Sequence, residues 1–279
     1  MKFQSAISTD NEWQTACDAC LEQLADREGY NLGFISDRFQ ADFSAIVEVF
    51  KKHTGIDTWV GSVGLGIIGP SQEVYEQGAI SVLLGQFPED SFRLIPSIDC
   101  DPKAFVESEQ DWITRHNAYL AVVHGDPMNP STQETIQKLS DELATGFLVG
   151  GLSSAADEST AQFSGVEMAD GLSGVLFSSE VEVGSGLTQG CSPISDYLTV
   201  TKCDKNMMFS LDNQPALDVY KEIVGAPYNE DLNLAVNSIF FGLPIKSHDS
   251  RDYLVRNIVG IALPIKCWPL VITCKKVNR

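Results

Sequence analysis

The feature that most constrains this chain is a weak internal repeat. One segment runs GFIS (33–36), a polar loop, an apolar-faced helix, TWVGSVG (58–64), a loop, then GAISVLLG (78–85). A second runs AVVH (121–124), a polar loop, a helix, FLVGGLS (147–153), a loop, then GLSGVLFS (171–178). Val60-Gly61 precedes Val149-Gly150 by 89 residues, and Phe34 precedes Val123 by the same interval. Gly78 precedes Gly171 by 93, and Val82-Leu83 precedes Val175-Leu176 by the same step. The shared order and near-constant offset point to a duplicated β-α-β-β unit. The crossover in each unit makes parallel neighbours and the short return makes antiparallel ones, so the sheets are mixed. The expected fold class is α/β (mixed α+β), a layered sandwich of mixed sheets with outer helices. One continuous sheet is the alternative packing.

Apolar periodicity supports this reading. Trp13, Cys17, Cys20, Leu21 and Leu24 fall on one face of a helix expected over residues 10–26. Phe43, Ile46, Val47 and Phe50 do the same over 41–52. Ser131-x-x-Glu134 reads as a capping box opening a helix with Ile136, Leu139 and Leu143 at core spacing. Residues 103–116 read as a further helix, and 3–7, 92–97 and 181–183 as further strands. From about Leu187 the pattern changes. Residues 198–203 alternate as a strand, Pro215 opens a helix, and 238–243 and 253–261 read as strands.

Bulk composition excludes several partners. The 279 residues are 43 % hydrophobic and 20 % charged, which is globular. A net charge of −19 repels phosphate backbones and anionic lipid heads, so neither nucleic acid nor membrane is an expected partner. Residues 1–8 hold no apolar signal region, and Pro264, Lys266 and Pro269 interrupt the apolar stretch 258–273, so a cytoplasmic location is expected. Seven cysteines at scattered spacings do not suggest a disulfide framework. Cys17 and Cys20 form a C-x-x-C, but their helical spacing assigns them to a core face.

The candidate chemistry lies at strand ends. His124 and Asp126 are two apart, so in an extended chain both side chains point to one side. They are either a polar patch in a ligand site or a strand-end histidine beside an Asx turn before Pro127. Gly61, Ser62 and Gly64 end one strand; Gly150, Gly151, Ser153 and Ser154 end another. Glycine there either lets backbone N–H groups approach a ligand carboxylate or relieves sheet packing. No helix follows the GSVGLG run directly, so it is not a nucleotide loop. Four histidines, with no Cys/His spacing of a closed site, imply no metal, and no cofactor is expected. Cys191 lies in a loop. A Cys191/His124/Asp126 amidohydrolase is the alternative function, yet no nucleophile-elbow sequence supports it, so a structural or ligand-lining role is expected. Arg256, the one basic residue in an apolar strand-like run, either clamps a carboxylate or pairs with an acidic residue.

GGLSSA (150–155), GLSGVLFSSEVEV (171–183), LTQGCSPIS (187–195), LTVTKC (198–203) and LDNQPALDVY (211–220), in that order, resemble the FIST domain. HGDP (124–127), VGSVGLGIIG (60–69) and DYLVRNIVGI (252–261) extend the resemblance over residues 30–261. The resemblance implies a bacterial, non-catalytic sensory domain of signal transduction. Its ligand would be an amino acid or similar small metabolite, and its partner a downstream signalling protein. A third function class, left open beside the sensor and the enzyme, is a protein-interaction scaffold. Ser192 stands where family members often carry a basic residue. The resemblance also implies a division into a FIST N-terminal-like domain (1–186) and the start of a FIST C-terminal-like α/β domain (187–279). Residues 264–279 hold four basic and no acidic residues, so 262–279 are expected to be an aberrant tail on an incomplete region, from a shifted frame or a truncated gene.

Overall fold

The computed structural model describes residues 1–24, 27–143, 147–155, 161–165, 167–184, 186, 190–204, 207–244, 253–258 and 268–269. The chain divides into two compact units, Met1–Val183 and Gly184–Arg279.

The first unit contains the repeat. Its first half is β1 (Lys2–Ser8), α1 (Trp13–Gln23), β2 (Leu32–Asp37), α2 (Phe43–Thr54), β3 (Trp59–Val63), the hairpin β4 (Gly66–Ile68) and β5 (Glu73–Tyr75), and β6 (Ile80–Gln86). Its second half is β7 (Phe92–Ile98), α3 (Lys103–Arg115), β8 (Leu120–Gly125), α4 (Thr132–Glu142), β9 (Phe147–Leu152), the hairpin β10 (Gln162–Ser164) and β11 (Glu167–Ala169), and β12 (Leu172–Phe177). The two main sheets have the same order: β1-β6-β2-β3, continued by β10-β11, and β7-β12-β8-β9. In each, one parallel pair (β2/β3, β8/β9) is flanked by antiparallel neighbours. The duplicated unit therefore starts one strand and one helix earlier than the sequence motifs suggest, at β1-α1 and β7-α3.

Register fixes the equivalences. The burial alternation of Leu32–Asp37 recurs along Leu120–Gly125, 88 residues on. Gly61 lies opposite Ile35 as Gly150 lies opposite Val123. Val82 and Gly174 are the partners of the same two residues on the other side. The last offset is thus 92, one less than the sequence identities indicate.

The layers are helix, sheet, sheet, helix, so the expected sandwich with outer helices forms. Leu32 and Val60 of one sheet join Leu120, Val175 and Phe177 of the other in a single buried cluster. On the far face of the first sheet, Ile35, Trp59, Val63 and Val82 pack under α1 and α2. On the far face of the second, Ala121, Val123, Leu172 and Leu176 pack under α3 and α4. Cys17 and Cys20 sit in the α1 core face as expected, and burial pushes both thiols up to about 12. A thiol held protonated in this way is a poor nucleophile.

Local expectations were corrected at three points. Ser131 makes no side-chain cap; Asn129 Oδ1 accepts the Ser131 N–H at 2.8 Å instead. Residues 181–183 form no strand, because Val181 turns into the inter-sheet cluster. The hairpin β10-β11 belongs in sequence to the second repeat, yet it extends the first sheet, with Gln162 opposite Ser62.

The second unit holds β13 (Val200–Asp204), β14 (Met207–Leu211), β15 (Gln214–Pro215), α5 (Ala216–Val224), α6 (Leu232–Ser238), β16 (Phe241–Pro244), β17 (Tyr253–Arg256) and β18 (Trp268–Pro269). β13, β14 and β15 form a sheet that β18 joins through β14, and β16 pairs with β17. Leu217 and Tyr220 of α5 pack against Met208 and Leu211 of β14. The strand expected from residue 238 starts later, at Phe241, because α6 runs through Ser238. Asp231 Oδ1 caps that helix by accepting the Asn233 and Leu234 N–H groups. Residues 187–189 of the LTQGCSPIS motif and 259–261 of the last expected strand lie outside the described residues. So does the expected tail at 262–279, apart from Trp268–Pro269.

Candidate functional site

Parallel pairing aligns the carboxyl end of β2 with that of β3 and of β8 with that of β9, and the Ser62–Ser153 contact puts both at one end of the sandwich, the position where α/β folds place ligand crevices. Side-chain alternation then decides what faces the inter-sheet layer. Leu32 and Phe34 are followed by Ser36, Val60 by Ser62, and Leu120 and Val122 by His124. On β12, Phe177 and Val175 lead back to Ser173. The layer is therefore apolar along its length and polar at this end.

Most of these polar groups satisfy one another. Ser62 Oγ lies 2.7 Å from Ser153 Oγ, and the Ser62 hydroxyl is 3.1 Å from the Val63 carbonyl. Ser173 Oγ donates to Gln162 Oε1 at 3.0 Å, and Gln162 Nε2 donates to the Gly171 carbonyl at 3.2 Å. Ser154 Oγ accepts the Leu65 N–H at 3.0 Å. Gln162 is supplied by the crossing hairpin, which is why a linear reading missed it.

His124 stands outside these bonds. It lies between Ser173 of β12 and Gly151 of β9 in the sheet. Its Nδ1 is buried and has no hydrogen-bond partner among the described residues, and burial pushes its pKa down to about 4, so it is neutral near pH 7. At Gly151 a Cβ would meet nothing within 4 Å, so open space adjoins the histidine on that side. Asp126 does not orient the ring through Nδ1. Its Oδ1 accepts the Met128 N–H at 2.8 Å, the Asx turn expected as the alternative, and its carbonyl accepts the Thr132 hydroxyl at 2.6 Å.

Arg38, which the sequence reading passed over, occupies in the first repeat the position of Asp126 in the second. Its N–H donates to the Ala79 carbonyl, continuing the β2–β6 ladder, so the alternation that points Ser36 to the inter-sheet side extends to it. Its Nη1 is enclosed, without a partner among the described residues. The signal that could have found it was the alignment of SDR (36–38) with HGD (124–126).

Three of the strand-end amides are already used. Ser153 N–H donates to Gly125 O at 2.9 Å, Ser154 N–H to Val63 O at 3.3 Å and Gly64 N–H to Asp37 O at 2.9 Å. A backbone cradle for a carboxylate, expected from the sequence, is closed at these residues. Gly61 and Gly150 serve packing: a Cβ at either would overlap the carbonyl oxygen of Ile35 or Val123 on the parallel neighbour. Gly150 also has φ +152°, which side chains rarely adopt.

Cys191 and Arg256 belong to the second unit. The Cys191 carbonyl accepts the Tyr253 hydroxyl at 2.8 Å. Arg256 is exposed and donates to the Val255 carbonyl at 3.0 Å; among the described residues no carboxylate pairs with it. Two surface hollows of about 460 and 440 Å³ flank α3, the larger lined by Lys103, Glu107, Lys138 and Asp141; neither includes a residue of the strand-end cluster. Among the described residues no group of three His, Cys, Asp or Glu side chains could hold a metal ion, and no helix is long and apolar enough to cross a membrane.

The FIST N domain family matches residues 31–214, which span both parallel pairs and the first hairpin of the second unit. Uncharacterized proteins of Mycobacterium tuberculosis, from strains CDC 1551 and H37Rv, are each 24 % identical over 208 residues, covering 72 % of this chain and 54 % of theirs. The chain spans about half the length of the curated relatives it matches. With the family match covering well over half of its residues, the chain belongs to the FIST N domain family.

Proposed function

We propose that the polar end of the inter-sheet layer binds a small polar metabolite, an amino acid being the leading class, and that binding is the input of a signal-transduction protein. The observation that supports this is His124: a neutral imidazole whose buried Nδ1 has no partner among the described residues, beside open space, near the hydrogen-bonded pairs Ser62–Ser153 and Ser173–Gln162. A buried polar atom without a partner costs stability, and a ligand donor would remove that cost. Gly151 admits the ligand, while Ser62, Ser153, Ser154 and Gln162 hold the walls. Gly61, Gly64 and Gly150 shape the strand ends, and Asp126 fixes the loop after His124. Cys191 and Arg256 are assigned to the second unit's own surface, which we read as the start of a FIST C-terminal-like domain that faces a signalling partner. Signalling requires only that ligand bind one conformer better than another.

Thermal melting of the chain against a panel of amino acids and small amides tests the reading. A ligand present at a hundred times its Kd adds about 2.7 kcal/mol and raises the melting temperature. His124→Leu is expected to abolish the rise while retaining a cooperative transition. A flat response of the parent protein across the panel would remove the ligand reading.

A further inference from the structure

We infer that Arg38 is the anion-reading residue of this site, so that its ligand is a small carboxylate carrying a hydrogen-bond donor rather than a neutral metabolite. The inference rests on the strand-end site proposed above and adds the residue that sets the ligand's charge. Arg38 Nη1 and His124 Nδ1 are both enclosed and both without partners among the described residues. They stand at the ends of equivalent central strands, β2 and β8, on the side chain alternation assigns to the inter-sheet layer.

A guanidinium keeps its charge at any ordinary pH, and the Arg38 side chain is partly buried, with Nη1 enclosed and no ion pair to it among the described residues. The nearest carboxyl in sequence, Asp37, does not supply one. It alternates to the opposite face, toward Cys17 under the helices, and it spends Oδ1 on the Phe39 N–H at 2.6 Å. The Ser153, Ser154 and Gly64 amides are also spent internally. The chain as a whole carries −19, so an anion needs a specific local cation to enter. The guanidinium fork matches a carboxylate bidentately. The neutral imidazole at the other strand end accepts a proton donor, such as the ammonium of an α-amino acid.

The test compares L-amino acids with their carboxamides, which keep the ammonium and lack the carboxylate. By thermal shift and calorimetry on the full chain, at least one acid is expected to stabilise the protein while its carboxamide does not. Arg38→Met should weaken that acid about 30-fold or more, and Arg38→Lys should retain part of the affinity. Acid and carboxamide binding equally, with Arg38→Met neutral, would overturn the role of Arg38 and leave the His124 site standing. A melting temperature lowered by Arg38→Met would make the guanidinium a prop of the fold and overturn the inference. No stabilisation of the parent protein by either series would overturn both readings.

Discussion

At the scale of single residues, two buried groups act on stability with opposite signs. Asp37 is fully buried at the end of β2, one carboxyl oxygen has no partner, and desolvation raises its pKa to about 7. Below about pH 4 the carboxyl is protonated in both folded and unfolded chains. Between pH 4 and 7 the unfolded chain ionises first, so stability falls as pH rises, by at most about 4 kcal/mol. His124 shifts the other way, from 6.5 to about 4, again by desolvation. As pH falls through that window the unfolded chain takes the proton first, so stability is lost on acidification. The two slopes oppose each other, and the parent protein should respond weakly to pH between 4.5 and 6.5. Asp37→Asn should raise stability at pH 8 and unmask a steeper loss toward pH 4.5, while His124→Gln should unmask the reverse slope. Urea midpoints measured from pH 4.5 to 8 check both, and parallel profiles for the two variants would contradict the assignment.

At the scale of elements, the parallel pairs explain the repeat's clearest identity. Val60-Gly61 and Val149-Gly150 recur because a side chain at either glycine would strike the carbonyl of the neighbouring parallel strand. Gly61→Ala and Gly150→Ala should each cost about 2–4 kcal/mol through strain and displaced pairing, measured as a shift in denaturant midpoint. Long amphipathic elements such as α2, and strand pairs with apolar cores, were legible because their signal is local periodicity. The crossing hairpin was not. β10 and β11 are three residues each, too short for a period, and their destination on β3 is a matter of tertiary pairing. The same limit hid half of the site. His124, Ser62 and Ser153 could be named from strand-end composition, but Gln162 arrives by the crossover. Arg38 acquires meaning only from its enclosed nitrogen, partnerless among the described residues. Asp126 looked catalytic in sequence because a carboxylate two residues from a histidine is ambiguous until the Met128 N–H is seen to claim it.

At the scale of the whole first unit, the repeats are not independent. Each sheet buries the other's inner face through Leu32, Val60, Leu120, Val175 and Phe177, and the second repeat lends β10-β11 to the edge of the first sheet. A chain of residues 1–91 would carry every element of the first sheet except that hairpin. It would expose Leu32 and Val60 and leave the hydrogen-bonding edge of β3 open, where Ser62, Gly61 and Val60 now pair with β10. An uncovered apolar face and an open edge favour association over a monomeric fold. Residues 1–183 should therefore unfold in a single cooperative transition, whereas residues 1–91 should bind a hydrophobic dye, associate, and show no sharp transition. Size-exclusion chromatography and calorimetry of the two chains decide it. A monomeric 1–91 chain with its own cooperative melt would mean that the duplicated halves are autonomous. The site would then be a contact between two finished domains rather than the end of one shared layer.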